Sequence, residues 1–379
     1  MKIDTVFVVT EMRLGGRERV VSNIAGALHT EKNVAIFSVW RRTPFFLSSA
    51  PIYFDGNTIA DINDQNVHDR LENNKGIKPL INFVKKVMPY SFLQNSRIRE
   101  LIKFLKENDS KNVVLTDLTS TFATKIRRAL PDINIISWVH MQPDAFFDVQ
   151  YKEYKSELIK GLSQIDTLVS LTPNQSLEYG QYVKSAVSIS NPMPNVGQYL
   201  AKMDKKIILI VARIDINHKG LDYLSKLVNY VPDDWKIKVV GSGKDSDENT
   251  FKSIVDNSKG KIIWQSAVDG KKLDNVYQNA SIFIMPSRYE GFPLTLGEAM
   301  AHGLPIIAFD LDGTKVILQD QNDKFGILVD KNNVELFGEQ IMKLASDIKL
   351  RQQLSQKSQE RVSKFSIQVV IEEWNDILK

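Results

Sequence analysis

The chain has 379 residues, of which 43% are hydrophobic and 25% are charged, the ordinary balance of a folded globular protein. This composition excludes a disordered, collagen-like or membrane-embedded chain, and a net charge of +4 gives no argument for nucleic acid as a partner. No cysteine is present, which excludes disulfides, thiolate catalysis and cysteine-bound zinc and fits a reducing compartment.

The N-terminus leads directly into the apolar run 5–10, without the basic start, longer apolar core and small-residue cleavage site of a signal peptide. No uninterrupted apolar stretch approaches the length that spans a bilayer. We therefore expect a cytoplasmic protein.

In the first half of the chain, short β-branched runs alternate with stretches of helical periodicity, a pattern typical of βαβ units around a parallel sheet. The predicted strands are 5–10, 33–39, 112–116, 133–139, 166–171 and 186–190. The predicted helices are 17–29, 97–107, 119–129, 152–163 and 173–183.

The pattern restarts after the proline-rich segment 191–194. The predicted strands of this second series are 207–211, 236–241, 261–265, 280–285, 304–309 and 326–329. We predict an α/β protein with two Rossmann-like domains, 1–195 and 196–379, that face each other across a cleft; the alternative is a single large α/β domain with insertions. Because ligands of such sheets bind at the carboxyl ends of the strands, the expected site lies between the two domains.

The basic residues of the first half concentrate in segment 77–106, which has seven basic residues, one acidic residue and many bulky apolar residues. This mixture suits the anionic inner face of a cell membrane. It equally suits an amphipathic helix with solvated lysines and an apolar face in the core. Pro79 and Pro89 favour a short helix or loop over one long helix.

The most informative stretch is 286–300, which follows the apolar run 282–285 and so begins at the carboxyl end of a strand. Gly291 and Pro293 indicate a turn, with Pro293 suited to the first position of a helix whose N-terminus attracts anions. Glu290 precedes this helix and Glu298 lies within it, so the two carboxylates can reach different hydroxyls of one sugar-containing ligand. The alternative is that Glu290 is only a charge at the helix N-terminus and Glu298 only a solvated residue of the helix. Judged from spacing alone, this alternative is the commoner arrangement.

A second stretch, 211–220, places Arg213 at the end of a buried strand and Lys219-Gly220 at the start of the next helix. Two cations at one sheet edge can hold a diphosphate, with arginine able to make two parallel hydrogen bonds. Two unrelated surface bases beside a loop are the simpler interpretation.

Two smaller signals follow strands of the first half. The paired glycines Gly15-Gly16 allow close approach of backbone to a ligand, although the dinucleotide pattern G-x-G-x-x-G is absent and a tight turn explains them equally well. His140 follows the strand 133–139, where a lone histidine is more often packed or solvated than catalytic. No set of residues has metal-ligand spacing, so we predict no metal site.

Taken together and in this order, these pieces resemble the retaining glycosyltransferases of family 4, which have the GT-B fold. The E-x7-E signature is complete from Glu290 to Glu298, and the R-x5-K-G signature is complete from Arg213 to Gly220. The resemblance covers nearly the whole chain, least in 40–110, and one departure is the turn 265–268, where many relatives have a glycine. Other positions that match the family are Gly15, Gly16, His140, Asn191, Pro192, Gly241 and Gly243.

The resemblance implies a nucleotide-sugar donor, most often UDP-linked, bound by the C-terminal domain without a cofactor or metal. Arg213 and Lys219 would hold the diphosphate, Glu298 the ribose hydroxyls and Glu290 the donor sugar. His140 would face the sugar near the reacting carbon as a positioning group. The remaining donor-binding positions implied are Gly15, Gly16, Gly241, Gly291, Phe292, Pro293 and Leu294.

The resemblance also implies that retention arises by front-face attack without a protein nucleophile, and that the last helix, about 365–379, packs back on the N-terminal domain with Trp374 as its anchor. The acceptor we expect is a cell-envelope glycan, lipid-linked oligosaccharide, glycolipid or teichoic-acid-type polymer, and a soluble acceptor is the alternative. Two other readings stay open: an inactive GT-B accessory protein that stabilises a partner transferase, and a GT-B sugar-nucleotide epimerase.

Overall fold

The computed structural model describes residues 2–12, 15–40, 44, 46, 48–54, 57–58, 89–197 and 200–379. The chain forms two compact units, one of Met1–Ser190 with Ile367–Lys379 and the other of Asn191–Ser366. Each unit contains a parallel sheet whose strands alternate with helices along the chain. The predicted α/β class with two Rossmann-like units is therefore confirmed, and the first crossing between units falls at Ser190, slightly before the predicted 195.

The sheet of the first unit is built from short, mostly apolar strands, and its central strands are buried, as the runs rich in valine and isoleucine predict. These strands are Thr5–Val9 (β1), Val34–Ser38 (β2), Ile52–Phe54 (β3), Asn57–Thr58 (β4), Asn112–Thr116 (β5), Asn134–Trp138 (β6), Thr167–Ser170 (β7) and Ala186–Ser188 (β8). Their order is β4-β3-β2-β1-β5-β6-β7-β8, and every pairing is parallel except that of β3 with β4. The strand order reverses between β1 and β5.

Helices follow the strands of the first unit, and the last helix of the chain joins them. They are Gly16–His29 (α1), Tyr90–Leu93 (α2), Asn95–Asn108 (α3), Ala123–Ala129 (α4), Lys155–Leu162 (α5), Pro173–Tyr179 (α6) and, at the C-terminus, Ile367–Ile377 (α14). Single turns of other helix types are the 3₁₀ segments Asp117–Phe122 and Lys152–Tyr154 and the π-helical segment Ala145–Gln150.

The second unit has a six-stranded parallel sheet in the order β11-β10-β9-β12-β13-β16. Its strands are Ile207–Val211 (β9), Lys236–Val240 (β10), Ile262–Gln265 (β11), Ile282–Met285 (β12), Ile306–Phe309 (β13) and Ile327–Val329 (β16), with the separate antiparallel pair Gln319–Asp320 (β14) and Asp323–Lys324 (β15). Because β9 comes first along the chain and has β10 and β12 as neighbours, this sheet changes direction between β9 and β12.

The helices of the second unit follow its strands in the same alternating manner. They are Leu224–Leu227 (α7), Asp245–Asn257 (α8), Gly270–Gln278 (α9), Leu294–Ala301 (α10), Asp312–Leu318 (α11), Val334–Ser346 (α12) and Ile348–Val362 (α13). The 3₁₀ turns of this unit are Leu221–Tyr223, Val228–Tyr230 and Ser363–Phe365.

Three helices predicted in the first half are shorter in the structure. The helix expected over 152–163 begins with the 3₁₀ turn Lys152–Tyr154 and is an α-helix only over Lys155–Leu162. The helix expected over 119–129 begins as 3₁₀ turns, where the Thr119 and Thr121 hydroxyls bond nearby backbone carbonyls and compete with regular helix formation. The helix expected over 173–183 ends at Tyr179 because Gly180, a weak helix former, follows it. Pro293, predicted as the first helical residue, is the residue that precedes α10.

The last helix packs on the first unit through Trp374, which is fully buried. Its indole lies 4.9 Å from Trp138 and 5.5 Å from Phe7 between ring centres, both in an edge or tilted arrangement. The side-chain amides of Asn112 and Asn134 donate to the carbonyls of Lys379 and Ile377. The C-terminus therefore belongs structurally to the unit that begins the chain.

Only part of segment 77–106 can be compared with the structure, because 77–88 lies outside the described residues. Helix α3 buries its apolar side, including Leu101 and Phe104, and exposes Arg99 and Lys103. Its described part is thus an amphipathic helix with its apolar side in the core. None of the helices within the described ranges is long and apolar enough to cross a membrane.

Candidate functional site

The second unit gathers the predicted donor-binding residues at the point where its sheet changes direction. The loop after β9 carries Arg213 and Lys219, and the loop after the adjacent strand β12 carries Glu290 and leads into α10 with Glu298. The strand order is that of a nucleotide-binding Rossmann sheet, whose ligands bind at this crevice. Two segments separated by about seventy residues are therefore neighbours, as a common sheet edge predicts.

The central contact of this site is an ion pair between the two loops. Nζ of Lys219 donates to Oε1 of Glu290 at 2.7 Å, and only 18% and 9% of the two side chains are exposed. A pair so shielded from water is held more tightly than a surface pair. Each charge compensates the other in the absence of a ligand.

Three further contacts hold the same two loops together. The backbone N–H of Arg288 donates to the His218 carbonyl at 2.9 Å, and the His218 ring Nε2 donates to the Tyr289 carbonyl at 2.9 Å. The Arg288 guanidinium also forms a two-bonded pair with Asp222. Burial is the main cause of a lowered pKa of His218, to which the charge of Lys219 adds. These contacts hold the loops after β9 and β12 against each other.

Glycine is required at two places along these loops. Gly220 has a φ of 63°, and a Cβ there would lie 2.0 Å from the Pro286 carbonyl oxygen. A Cβ on Gly241, after β10, would lie 1.7 Å from the Ala212 carbonyl oxygen, next to Arg213. Close packing against Ala212 therefore accounts for a glycine at position 241 without the predicted role in donor binding.

Glu298 is buried on α10 and accepts a hydrogen bond from the Tyr277 hydroxyl at 2.7 Å. The imidazole of His302 stacks on Tyr277, with 5.0 Å between ring centres and 18° between planes. Its Nδ1 donates to the Glu298 carbonyl at 2.8 Å. Tyr277 and His302 fix the orientation of Glu298, and the sequence analysis did not identify either of them.

The other predicted residues of this unit differ in exposure. Arg213 is 63% exposed and pairs with Asp215 at 3.2 Å. Phe292 is buried, with its ring 5.6 Å from that of Phe365, so its side chain is part of the core. Leu294 begins α10 directly after Pro293.

In the first unit, Gly16 begins α1 with Gly15 as its cap, and His140 follows β6 by two residues. Arg17 and His140 both contact the buried Asp117, which directly follows β5. Asp117 therefore joins His140 to Arg17, the residue that follows the glycine pair. The sequence analysis did not identify this carboxylate.

Across the described ranges, no group of three or more histidine, aspartate or glutamate side chains is arranged to hold a metal ion. The chemistry of the site therefore has to be argued from its cations, carboxylates and hydrogen-bond donors.

Comparison with known protein families and sequences finds similarity to glycosyltransferases. Residues 195–361, all within the second unit, match the family model described as Glycosyl transferases group 1. The chain is 29% identical to an uncharacterized glycosyltransferase of Haemophilus influenzae, with 100% of both chains aligned. It is 28% identical to a poly(glycerol-phosphate) alpha-glucosyltransferase of Bacillus subtilis over 71% of this chain and 41% of that protein.

Solved structures agree on the fold. A sucrose-phosphate synthase from Thermosynechococcus elongatus superposes with a TM-score of 0.75 at 15% identity, covering 99% of this chain and 98% of its own. The Anabaena protein HepE, solved in complex with UDP, gives a TM-score of 0.74 at 10% identity and 99% coverage of both chains. The fold is GT-B, and the matched domain and the relatives support a glycosyltransferase.

Proposed function

We propose that the protein is a retaining glycosyltransferase of the family 4 type that transfers a hexose from a nucleotide sugar, most often UDP-linked in such enzymes, to a hydroxyl of a cell-envelope glycan. The observation that carries the proposal is the partly buried Lys219–Glu290 pair at the switch point, the place between β9 and β12 where the strand order reverses. A cation able to bind a diphosphate lies there beside a carboxylate able to accept hydrogen bonds from sugar hydroxyls, at the sheet edge where Rossmann-type ligands bind, and this supports the proposal.

In this proposal the second unit binds the donor. Lys219 and the exposed Arg213 bind the diphosphate, and Glu298, oriented by Tyr277, accepts hydrogen bonds from the ribose hydroxyls. On binding, the diphosphate shares Lys219 with Glu290, and Glu290 in turn accepts hydrogen bonds from the donor sugar. The loop contacts of Arg288 and His218 keep these groups in place beforehand, which lowers the ordering cost of binding.

The reaction we propose proceeds on one face of the sugar. The acceptor hydroxyl oxygen bonds to the anomeric carbon as the bond from that carbon to the diphosphate oxygen breaks, and the hydroxyl proton passes to the departing diphosphate. Lys219 and Arg213 stabilise the negative charge that develops on the leaving group, so their removal lowers kcat. No metal or cofactor takes part, and activity in the presence of EDTA tests that part of the proposal.

For the acceptor, we propose a glycan or polyol-phosphate polymer of the cell envelope. Support comes from the Bacillus subtilis relative, whose name gives poly(glycerol-phosphate) as its acceptor. The exposed basic side chains of α3, among them Arg99 and Lys103, suit an anionic polymer or the inner face of a membrane, although the apolar side of this helix is in the core. The first unit is the proposed acceptor-binding domain.

The experiment is a donor screen followed by product analysis. Purified protein is incubated with UDP-, GDP- and ADP-hexoses and envelope extract, and release of nucleoside diphosphate and the anomeric form of the product are measured by NMR. We expect transfer with retention from a UDP-hexose, lost in Lys219→Ala and kept in Lys226→Ala, an exposed lysine of the same unit. Transfer from a GDP- or ADP-hexose alone would change the proposed donor. A product with inverted anomeric configuration would overturn the proposed mechanism. Tight donor binding without turnover would favour an accessory protein.

A further inference from the structure

The first unit has its own switch point, between β1 and β5, and charged side chains occupy it. Arg17 lies in the first turn of α1, soon after β1, and Asp117 comes directly after β5. Nη1 of Arg17 donates to Oδ2 of Asp117 at 3.0 Å, and Nε and Nη2 of Arg17 donate to Glu18. Residues a hundred positions apart in sequence are joined at the edge where ligands of such sheets bind.

Asp117 is held in an unfavourable state. It is fully buried, and its φ of 46° lies in the left-handed region that side-chain-bearing residues seldom adopt. Strained, buried charged residues persist where the surrounding structure fixes them, and they are concentrated at functional sites. Here Asp117 is held in its backbone conformation by the 3₁₀ segment that starts at this residue and by the contact with Arg17.

The second oxygen of Asp117 contacts His140. Oδ1 accepts from the backbone N–H of His140 at 3.0 Å and lies 3.4 Å from its ring Nδ1. The imidazole also packs on Trp138, with 4.6 Å between ring centres. Because a carboxylate only accepts hydrogen bonds, this contact requires a proton on Nδ1, and in a neutral ring Nε2 then carries a lone pair.

That Nε2 atom is buried and has no hydrogen-bond partner among the residues that the structure describes, while the side chain as a whole is 9% exposed. A buried polar atom without a partner is costly, and a ligand hydroxyl would satisfy it. Since Nε2 itself is covered, the groups around it must move before a hydroxyl can reach it.

We propose that Asp117 is a positioning residue that keeps the proton of a neutral His140 on Nδ1, so that Nε2 accepts a hydrogen bond from a hydroxyl of the sugar substrate. Arg17 in turn fixes Asp117 by occupying its other oxygen. The role in transfer rests on the proposed function, whereas the control of the His140 tautomer does not.

The test uses Asp117→Asn, since asparagine tolerates a left-handed backbone and has nearly the same shape. Arg17 will attract the amide oxygen, which turns the NH2 group toward His140. The ring nitrogen Nδ1 must then accept, and the proton moves to Nε2. The matched control is Asp109→Asn, because Asp109 is also left-handed, with a φ of 53°, but is exposed and pairs with Lys2.

The tautomer is read from long-range ¹H–¹⁵N spectra of histidine-labelled protein, with His140→Phe to assign the resonance among five histidines. We expect the Nδ1–H form in wild type and in Asp109→Asn, and the Nε2–H form in Asp117→Asn. With the donor that the screen under the proposed function identifies, kcat should fall about 100-fold or more in Asp117→Asn while the Kd for UDP stays unchanged.

The Nε2–H form in wild type would overturn the proposal, and that measurement does not depend on the folding of Asp117→Asn. A switch of tautomer in Asp117→Asn with an unchanged kcat would overturn the role in transfer. If the wild-type protein transferred no sugar at all, the proposed function would fail, and the tautomer of wild type and Asp117→Asn would still decide whether Asp117 positions His140.

Discussion

Nζ of Lys219 lies 2.7 Å from Oε1 of Glu290, so a partly buried ion pair joins the loops after β9 and β12, in addition to the pair of Arg288 with Asp222. The Lys219–Glu290 pair has two consequences. It stabilises the unliganded loops, because each charge would otherwise be poorly solvated, and it holds Lys219 where a diphosphate would bind. Binding of the donor and stability of the loops are therefore linked through the same two side chains.

The first prediction concerns the strength of this pair. Lys219→Met leaves a nearly buried Glu290 charge without its partner, and we expect it to lower the free energy of unfolding by about 2–3 kcal/mol. Adding Glu290→Gln should restore part of that loss, because the uncompensated charge is gone. Urea unfolding of the four proteins in a double-mutant cycle should give a coupling of about 1 kcal/mol or more. Additive effects would show that the two side chains do not stabilise each other.

The second prediction tests how Glu298 is oriented. Tyr277→Phe removes the hydroxyl that donates to Glu298 and leaves the ring packing intact. We expect UDP to bind about 5–10-fold more weakly, in line with the loss of one hydrogen bond to a charged group. Calorimetric titration measures this directly. Tyr223→Phe, which removes a hydroxyl bonded to Asn332, should bind UDP as wild type does. Equal affinities of Tyr277→Phe and wild type would exclude a role for this hydroxyl.

A third prediction follows from the close approach of Gly241 to the end of β9. In Gly241→Ala the new Cβ would collide with the Ala212 carbonyl oxygen, so we expect a loss of about 2–3 kcal/mol in the free energy of unfolding. Gly260→Ala is the comparison, since Gly260 has a φ of 78° but open space around it, and should cost about 1 kcal/mol. Chemical denaturation distinguishes the two costs. A smaller loss for Gly241→Ala than for Gly260→Ala would contradict the packing role.

The fourth prediction is a dependence of stability on pH. Burial alone would raise the pKa of Asp117, but the electrostatic interactions and hydrogen bonds with His140 and Arg17 outweigh burial and lower this pKa from 3.8 to about 2. A carboxyl whose pKa is lower in the folded state stabilises the protein above its unfolded pKa and loses that effect as pH falls toward the folded value. The stability difference between wild type and Asp117→Asn should therefore shrink by about 1 kcal/mol from about pH 5 to about pH 3. Urea unfolding at these pH values checks this, and a constant difference would show that Asp117 does not titrate as described.

Much of the fold was predictable because its strands are continuous buried runs. The predicted strands 112–116 and 207–211 coincide with β5 and β9, and the other predicted strands differ only by a few residues at their ends. The strand β3, Ile52–Phe54, was missed, since three residues after a proline give too short a pattern to recognise. The 3₁₀ start of the segment 119–129 depends on side-chain hydrogen bonds that periodicity does not reveal.

The candidate site was predictable only in part for a related reason. Arg213, Lys219, Glu290 and Glu298 stand out because they follow strands that must end at one sheet edge. The contacts that orient them join residues far apart in sequence, such as Tyr277 with Glu298, and depend on how two helices pack. The contacts of Asp117 also join residues far apart in sequence. Nothing in its sequence context indicates that it is buried between Arg17 and His140.

The central claim, a nucleotide-sugar site at the β9–β12 switch point, is tested most directly by calorimetric titration of UDP into three proteins. These are wild type, Glu298→Gln and the control Glu335→Gln, an exposed glutamate of the same unit. The account predicts saturable binding to wild type and Glu335→Gln and binding weaker by about tenfold or more in Glu298→Gln. Equal binding by all three proteins, or no binding of any nucleoside diphosphate to wild type, would contradict it.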